Sequence, residues 1–190
     1  MTVSDEYKIV AGSWLDAVGN IISAYAEIRA LAGINEINNQ LVAIGEGLQA
    51  VGNALIGTVE TDDPLDFAGN WIEGAGAAIS SLGAQLQYID PENGDANIRL
   101  EILGDAFQSI GSAISTLAEY EAEDRDDHIV LGNGLQSLGA GLEAIGGVYE
   151  LNEKEEQGQP ITTIGAILQA LGANIIAIVV TKSIHREQLQ

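Results

Sequence analysis

Cysteine is absent, so neither disulfides nor thiol chemistry enter, and the redox compartment stays open. Basic residues are scarce: 7 lysines and arginines stand against 28 aspartates and glutamates, a formal charge of −21 over 190 residues. Phosphate recognition needs a basic face, which excludes nucleic acid as a direct partner and disfavours anionic membrane surfaces. Such an excess of one sign is expected to keep an apolar, glycine-rich chain dispersed. A cationic partner or bound divalent ions would be the other use for it. Only 2 histidines occur. His128 and His185 lack the partner that a His-x-x-x-His or Glu-x-x-His metal site requires. His185, with Lys182 and Arg186, instead complements the negative end of a final helix.

Long uninterrupted apolar runs are missing too. Even residues 161–181 contain Gln169 and Asn174, and lysine and arginine are too few to set a topology. A soluble bundle is therefore expected, with a membrane as partner disfavoured. The opening Met1-Thr2-Val3-Ser4-Asp5-Glu6-Tyr7-Lys8 lacks the basic region of a signal peptide, which makes the cytoplasm the default expectation. No G-x-x-x-x-G-K-[ST] loop is present, no serine sits in a nucleophile elbow, and the G-x-G fragments lie inside helical periodicity. No catalytic, cofactor-binding or metal-ligating residue is assigned, no cofactor is implied, and an enzyme is not expected.

What the chain has in quantity is glycine, 23 residues of it. Fourteen fall into a seven-residue register: Gly12/Gly19, Gly45/Gly52, Gly69/Gly76/Gly83, Gly104/Gly111, Gly132/Gly139/Gly146 and Gly165/Gly172. An interior helix glycine costs about 1 kcal/mol relative to alanine. Fourteen cost on the order of 10 kcal/mol, comparable to the net stability of a domain, so close packing must offset them.

Within each of the eight glycine-to-glycine heptads, positions +3 and +6 are apolar: Leu15/Val18, Leu48/Val51, Ile72/Ala75, Ile79/Leu82, Phe107/Ile110, Leu135/Leu138, Leu142/Ile145 and Leu168/Leu171. That spacing puts them on one helical stripe, expected to be the buried seam. Position +5 is small (Ala17, Ala50, Gly74, Ser81, Ser109, Ser137, Ala144, Ala170), giving each helix two shoulders without bulk. Position +4 is polar in nearly every case: Asp16, Gln49, Glu73, Ser80, Gln108, Gln136, Glu143, Gln169. That narrow stripe is expected to face water.

Turn chemistry divides the chain. Gly33 with Asn35, Thr61-Asp62-Asp63-Pro64, Asp90-Pro91-Glu92-Asn93-Gly94-Asp95, Glu123 to Asp127, and Gln157-Gly158-Gln159-Pro160 predict breaks. Six helices result, roughly 5–32, 36–60, 64–89, 96–122, 126–155 and 160–187, in one domain spanning 1–190. Short loops between long helices predict an all-α, antiparallel up-down bundle. Trp14 and Trp71 share the +2 position of the first and third helices, which suggests three helical-hairpin repeats with tryptophan filling hollows left by small residues. In such a bundle Glu60, Asp62, Asp63 and Asp66 share one end with Glu121, Glu123, Asp124, Asp126 and Asp127. This acidic cap reads as solvated loops or a weak divalent-ion site.

The segment Gly12-Ser13-Trp14-Leu15-Asp16-Ala17-Val18-Gly19, with Gly69-Asn70-Trp71-Ile72-Glu73 and Gly132-Asn133-Gly134-Leu135-Gln136-Ser137-Leu138-Gly139, resembles an uncharacterised family of repetitive proteins from bacilli, a domain of unknown function. The resemblance runs over nearly the whole chain and implies no activity, cofactor or site residue. The leading expectation is a non-catalytic structural or scaffold protein that self-associates or binds an unidentified protein. The alternative is a membrane-active or pore-forming helical bundle.

Overall fold

The computed structural model describes residues 3–59 and 63–187. It is all-α, with helices α1 (Val3–Leu31), α2 (Asn38–Gly57), α3 (Pro64–Ile89), α4 (Gly94–Glu121), α5 (Asp127–Leu151) and α6 (Glu155–Glu187). The turns follow their local chemistry. Gly33 adopts φ +76° after α1, where a left-handed residue ends the helix. Asp63 caps α3 by accepting from the Leu65 and Asp66 amides, with Pro64 in the first turn. Pro91–Asn93 form a short 3-10 turn ahead of α4. Asp126 caps α5 through the His128 amide at 2.8 Å.

One boundary differs from expectation. The break before α6 falls at Asn152–Lys154, with Glu153 at φ +58°, so Gln157-Gly158-Gln159-Pro160 lies inside α6. Gly158 is held there by packing: an added Cβ would stand 2.7 Å from the Gly146 carbonyl oxygen. Pro160 falls in the second turn of the helix, where it forfeits one backbone hydrogen bond.

All fourteen register glycines are helical and buried. They line the seams α1/α2, α3/α4 and α5/α6, and all but Gly83 and Gly146 stand opposite another of the fourteen. A Cβ on Gly12 or Gly52 would lie 2.6 Å from the other's carbonyl oxygen, and Gly76 and Gly104 stand in the same relation. The small +5 shoulder serves the other seams. Ser81 donates to the Ala43 carbonyl at 2.7 Å across α2/α3, and Ser109 and Ser137 exchange bonds with each other's carbonyls across α4/α5. Ala17 packs with Ala173 and Ala177 across α1/α6. Trp14 Nε1 reaches Thr181 Oγ1 at 3.0 Å and Trp71 Nε1 the Gly57 carbonyl at 3.1 Å, so both indoles lie over seams on the outside.

Each helix contacts its two chain neighbours, α6 closes onto α1, and no helix backbone approaches a third. The bundle is a closed ring of six antiparallel helices.

The orientation of every helix is the reverse of the expected one. Asp16, Gln49, Glu73, Ser80, Gln108, Gln136, Glu143 and Gln169 are all buried, not solvent-facing. Of the residues expected in the seam, Val18, Val51, Ala75, Leu82, Ile110, Leu138, Ile145 and Leu171 are all exposed, Val51 at 57 % and Leu138 at 56 %, while Leu15, Leu48, Ile72, Ile79, Leu135, Leu142 and Leu168 are half-buried and Phe107 is exposed. Among the described residues every buried hydrophobic side chain is alanine, while the largest fully buried ones are Gln49, Gln108 and Gln136. The physical reason is that amphipathic periodicity fixes the angle between a polar and an apolar stripe but not which one points outward. Two glycine-sealed shoulders let the helices close a ring with either face inside.

Candidate functional site: a polar lumen inside an apolar shell

The interior of the ring is a layered network of carboxylates and primary amides. Asp16 accepts from Asn20 at 3.1 Å and, through its second oxygen, from Gln136 of α5 at 2.8 Å. Glu46 accepts from Ser23 of α1, from Gln49 at 2.7 Å, and from Gln108 of α4 at 2.9 Å. The Gln136–Asp16 and Gln108–Glu46 bonds cross the lumen between helices that do not touch through their backbones. Gln169 donates to Glu143 at 2.6 Å, Gln159 to Glu27 at 2.7 Å, and Gln87 to Glu101 at 2.7 Å. Asp105 accepts from Ser80 at 2.6 Å.

Helical spacing explains the regularity. Residues four apart stack on one face, so Asn20 lies over Asp16 and Asn53 over Gln49, each also bonding the preceding turn's carbonyl. Amides donate to these acids without neutralising them, and burial with no base nearby pushes Asp16 and Glu46 up to about 7, Glu73 up to about 8, and Glu101, Asp105 and Glu143 well above the usual carboxylate range.

Two cavities open into this network from opposite ends. The larger, about 450 Å³, lies where α1, α3 and α5 begin; Ser13, Asp16, Glu73, Ser115 and Gln136 line it. The smaller, about 230 Å³, lies at the other end beside Glu27, Glu101, Asp105 and Glu143. No lysine, arginine or histidine lines either one. Between them the amide–carboxylate layers close the lumen.

The outer surface is the complement. Within residues 11–28, 67–82, 103–120, 131–148 and 164–178, every exposed residue is apolar, and in α2 the exposed pair is Ile44 and Val51. The α1 stretch rises about 26 Å at 1.5 Å per residue. Tyr7, Trp14, Phe67, Trp71 and Tyr120 gather toward one end, Tyr25 and Tyr88 toward the other. Lys8, Arg29, Arg99, Arg125, Lys154, Lys182 and Arg186 all fall outside the apolar belt.

Of the acidic cap, Asp63, Asp66 and Asp124 come together at the mouth of the larger cavity, where Glu119 joins them. Asp126 and Asp127 serve the start of α5, while Glu60 and Asp62 lie outside the described residues. Among the described residues no group of three or more potential ligands is placed to hold a metal ion. His128 is exposed against Asp126 at 2.9 Å, and His185 is in the last turn of α6.

Sequence reasoning missed the lumen. Its available signal was that the +4 stripe contains acids, amides and serine but no lysine or arginine. A solvated stripe has no reason to avoid them.

A family model described as "Family of unknown function (DUF6944)" matches residues 7–177. No curated protein and no solved structure matches the chain.

Proposed function

We propose that this chain, which belongs to the DUF6944 family of unknown function, is a non-catalytic membrane-embedded barrel. Its apolar shell faces lipid and its lumen keeps a column of polar groups out of it. The three glycine-sealed helix pairs read as copies of one hairpin. The observation that carries the proposal is the exterior: an apolar belt on all six helices, with the basic residues beyond it. In water, soluble monomers rarely expose a contiguous apolar patch above a few hundred Å². In a bilayer the same belt, about 21–26 Å tall on five helices and shorter on α2, falls within a hydrocarbon core about 30 Å thick, and aromatic side chains near the ends fit its interfaces. Helix contacts through small residues are also the packing that lipid favours, because apolar burial gives no preference there.

Only the stretch Glu155–Arg186 of α6 is long and apolar enough among the described residues to be picked out as a span by composition. In the other helices the lumen-facing amides and acids dilute the hydropathy, as expected when one face of a spanning helix lines a polar interior. This reading departs from the expectation of a cytoplasmic bundle and takes up the membrane alternative.

The test is partitioning. The expressed chain should remain in the membrane pellet through an alkaline carbonate wash and require detergent to become monodisperse. A monodisperse, fully helical chain in detergent-free buffer would overturn the proposal. Ordered assemblies in plain buffer would favour the scaffold reading, in which neighbouring copies cover the apolar belts.

A further inference from the structure

Packing does not require the acids of the lumen. At register position +4 the interior takes Gln49, Gln108, Gln136 and Gln169 as readily as Asp16, Glu73 and Glu143, and all of them are buried. At position +1, Glu46 and Asp105 stand where the chain elsewhere carries Asn20, Asn53 or Ser112. Neutral amides and hydroxyls thus fill equivalent places, and burying an acid costs more than burying an amide. Inside a bilayer an ionisable side chain is costly enough to mark a path for ions or protons.

The cavities show where such a path runs. The larger mouth opens onto Asp16 and Glu73, and the smaller onto Glu27, Glu101, Asp105 and Glu143. Deeper in lies a separate void of about 30 Å³, walled by the same four acids as the smaller mouth together with Glu46, Ser23 and Ser80. A polar void of that size has room for one or two waters. Of the acids that wall it, Glu46 alone does not also line the smaller mouth, so it is the link to the other half of the lumen. Beyond Glu46 stands a layer of amides. Gln49 donates to Glu46 at 2.7 Å, and Asn53 donates to the Gln49 carbonyl at 3.2 Å and to Asp16 at 3.5 Å. Ser23, which donates to Glu46, lies two turns beyond Asp16 on α1, about 10 Å along the axis.

We propose that the barrel carries protons across the bilayer, from Asp16 and Glu73 at one mouth through Glu46 to the acids of the other, and excludes larger ions. Each acid takes up a proton on one side and passes it on at the other, so the chain is unchanged after each transit. A hydrated ion is stopped by the Gln136–Asp16 and Gln108–Glu46 bonds, which cross the lumen. The amide layer is the slow step, because a proton crosses about 10 Å there on waters that the layer admits only transiently. The inference rests on the membrane reading, and the assay separates the two.

The experiment uses the full chain in phosphatidylcholine vesicles loaded with KCl and a trapped pH-sensitive dye, diluted into potassium-free buffer. Valinomycin lets potassium out and makes the interior negative, which draws protons in through any proton path. Acidification at least tenfold faster than in protein-free vesicles is expected. A protonophore given without valinomycin should add nothing beyond the protein-free level, because potassium has no exit. Glu46→Gln keeps the size of the side chain and should slow acidification at least tenfold, whereas Asp126→Asn, outside the lumen, leaves it unchanged. Gln136→Ala keeps every acid and opens the amide layer to water. It should speed acidification at least threefold, which keeps the test decisive if Glu46→Gln does not fold. Acidification no faster than in protein-free vesicles, potassium exit through the chain, or indifference to both variants would each overturn the inference and leave the membrane reading standing. Flotation of the vesicles on a density gradient monitors insertion, and a chain left behind would overturn both readings.

Discussion

Gly134 and Gly139 lie five residues apart on α5, and replacing each by alanine separates helix propensity from backbone contact. Alanine is about 1 kcal/mol better than glycine inside a helix, whichever the position. Nothing lies within 4 Å of a Cβ placed on Gly134, so Gly134→Ala should stabilise by that amount. On Gly139 the same atom would stand 2.5 Å from the Gly165 carbonyl oxygen and 2.6 Å from Gln169 Cγ. The first is backbone and cannot rotate away, so α5 and α6 must separate. Displacement also strains the 2.6 Å bond from Gln169 to Glu143. Overpacking costs about 1–3 kcal/mol, and a backbone clash belongs at the upper end. The net for Gly139→Ala is a loss of about 1–2 kcal/mol, leaving the two variants about 2–3 kcal/mol apart. Denaturant unfolding followed by helical circular dichroism, in one buffer or one micelle, measures the difference. Equal shifts, or a Gly139→Ala protein more stable than the parent, would refute the claim that close approach offsets the glycine penalty.

Other outcomes follow from the inverted arrangement. Gln108→Leu removes one of Glu46's amide donors and should destabilise by about 1–3 kcal/mol in the same unfolding assay, more than Gln85→Leu on the outer surface. Leu138→Lys, at an exposed position, should cost about 2–3 kcal/mol in membranes, where a central charge is unfavourable; a change within about 0.5 kcal/mol would signal an aqueous surface. Asp126→Ala should cost about 1 kcal/mol as a lost N-cap. The His128 backbone amide holds the Asp126 carboxyl below its ordinary value of 3.8, so its contribution is present above that pH and fades as pH falls through the lowered value. The gap between Asp126→Ala and the parent should therefore close in acid.

Much of the fold was legible because local chemistry acts locally. Asp63 before Pro64, Gly33 after α1 and the Pro91–Asn93 turn are each fixed by a few neighbouring atoms. The glycine register was legible as helix contact because nothing else offsets its cost. Two things were not. Gly158 looked like a helix stop, since its pairing with Gly146 is invisible without α5 beside it. The inversion stayed hidden because stripes such as Asp16/Gln136 and Val18/Leu138 have the same spacing whether they face lipid, water or a lumen. The lack of lysine and arginine on the polar stripe was the one sequence signal of a lumen, and the pairing of amides with acids across the ring, as in Gln108 to Glu46, is what distinguishes a filled polar interior from a solvated face.

The native tryptophans test that inversion most directly. Trp14 and Trp71, 39 % and 42 % exposed, lie on the shell toward the end where α1, α3 and α5 begin. In vesicles, lipids brominated near the carbonyl region should quench their fluorescence strongly, chain-end bromines less, and aqueous iodide least. Quenching by iodide with no response to either brominated lipid would place these indoles in water and contradict the account.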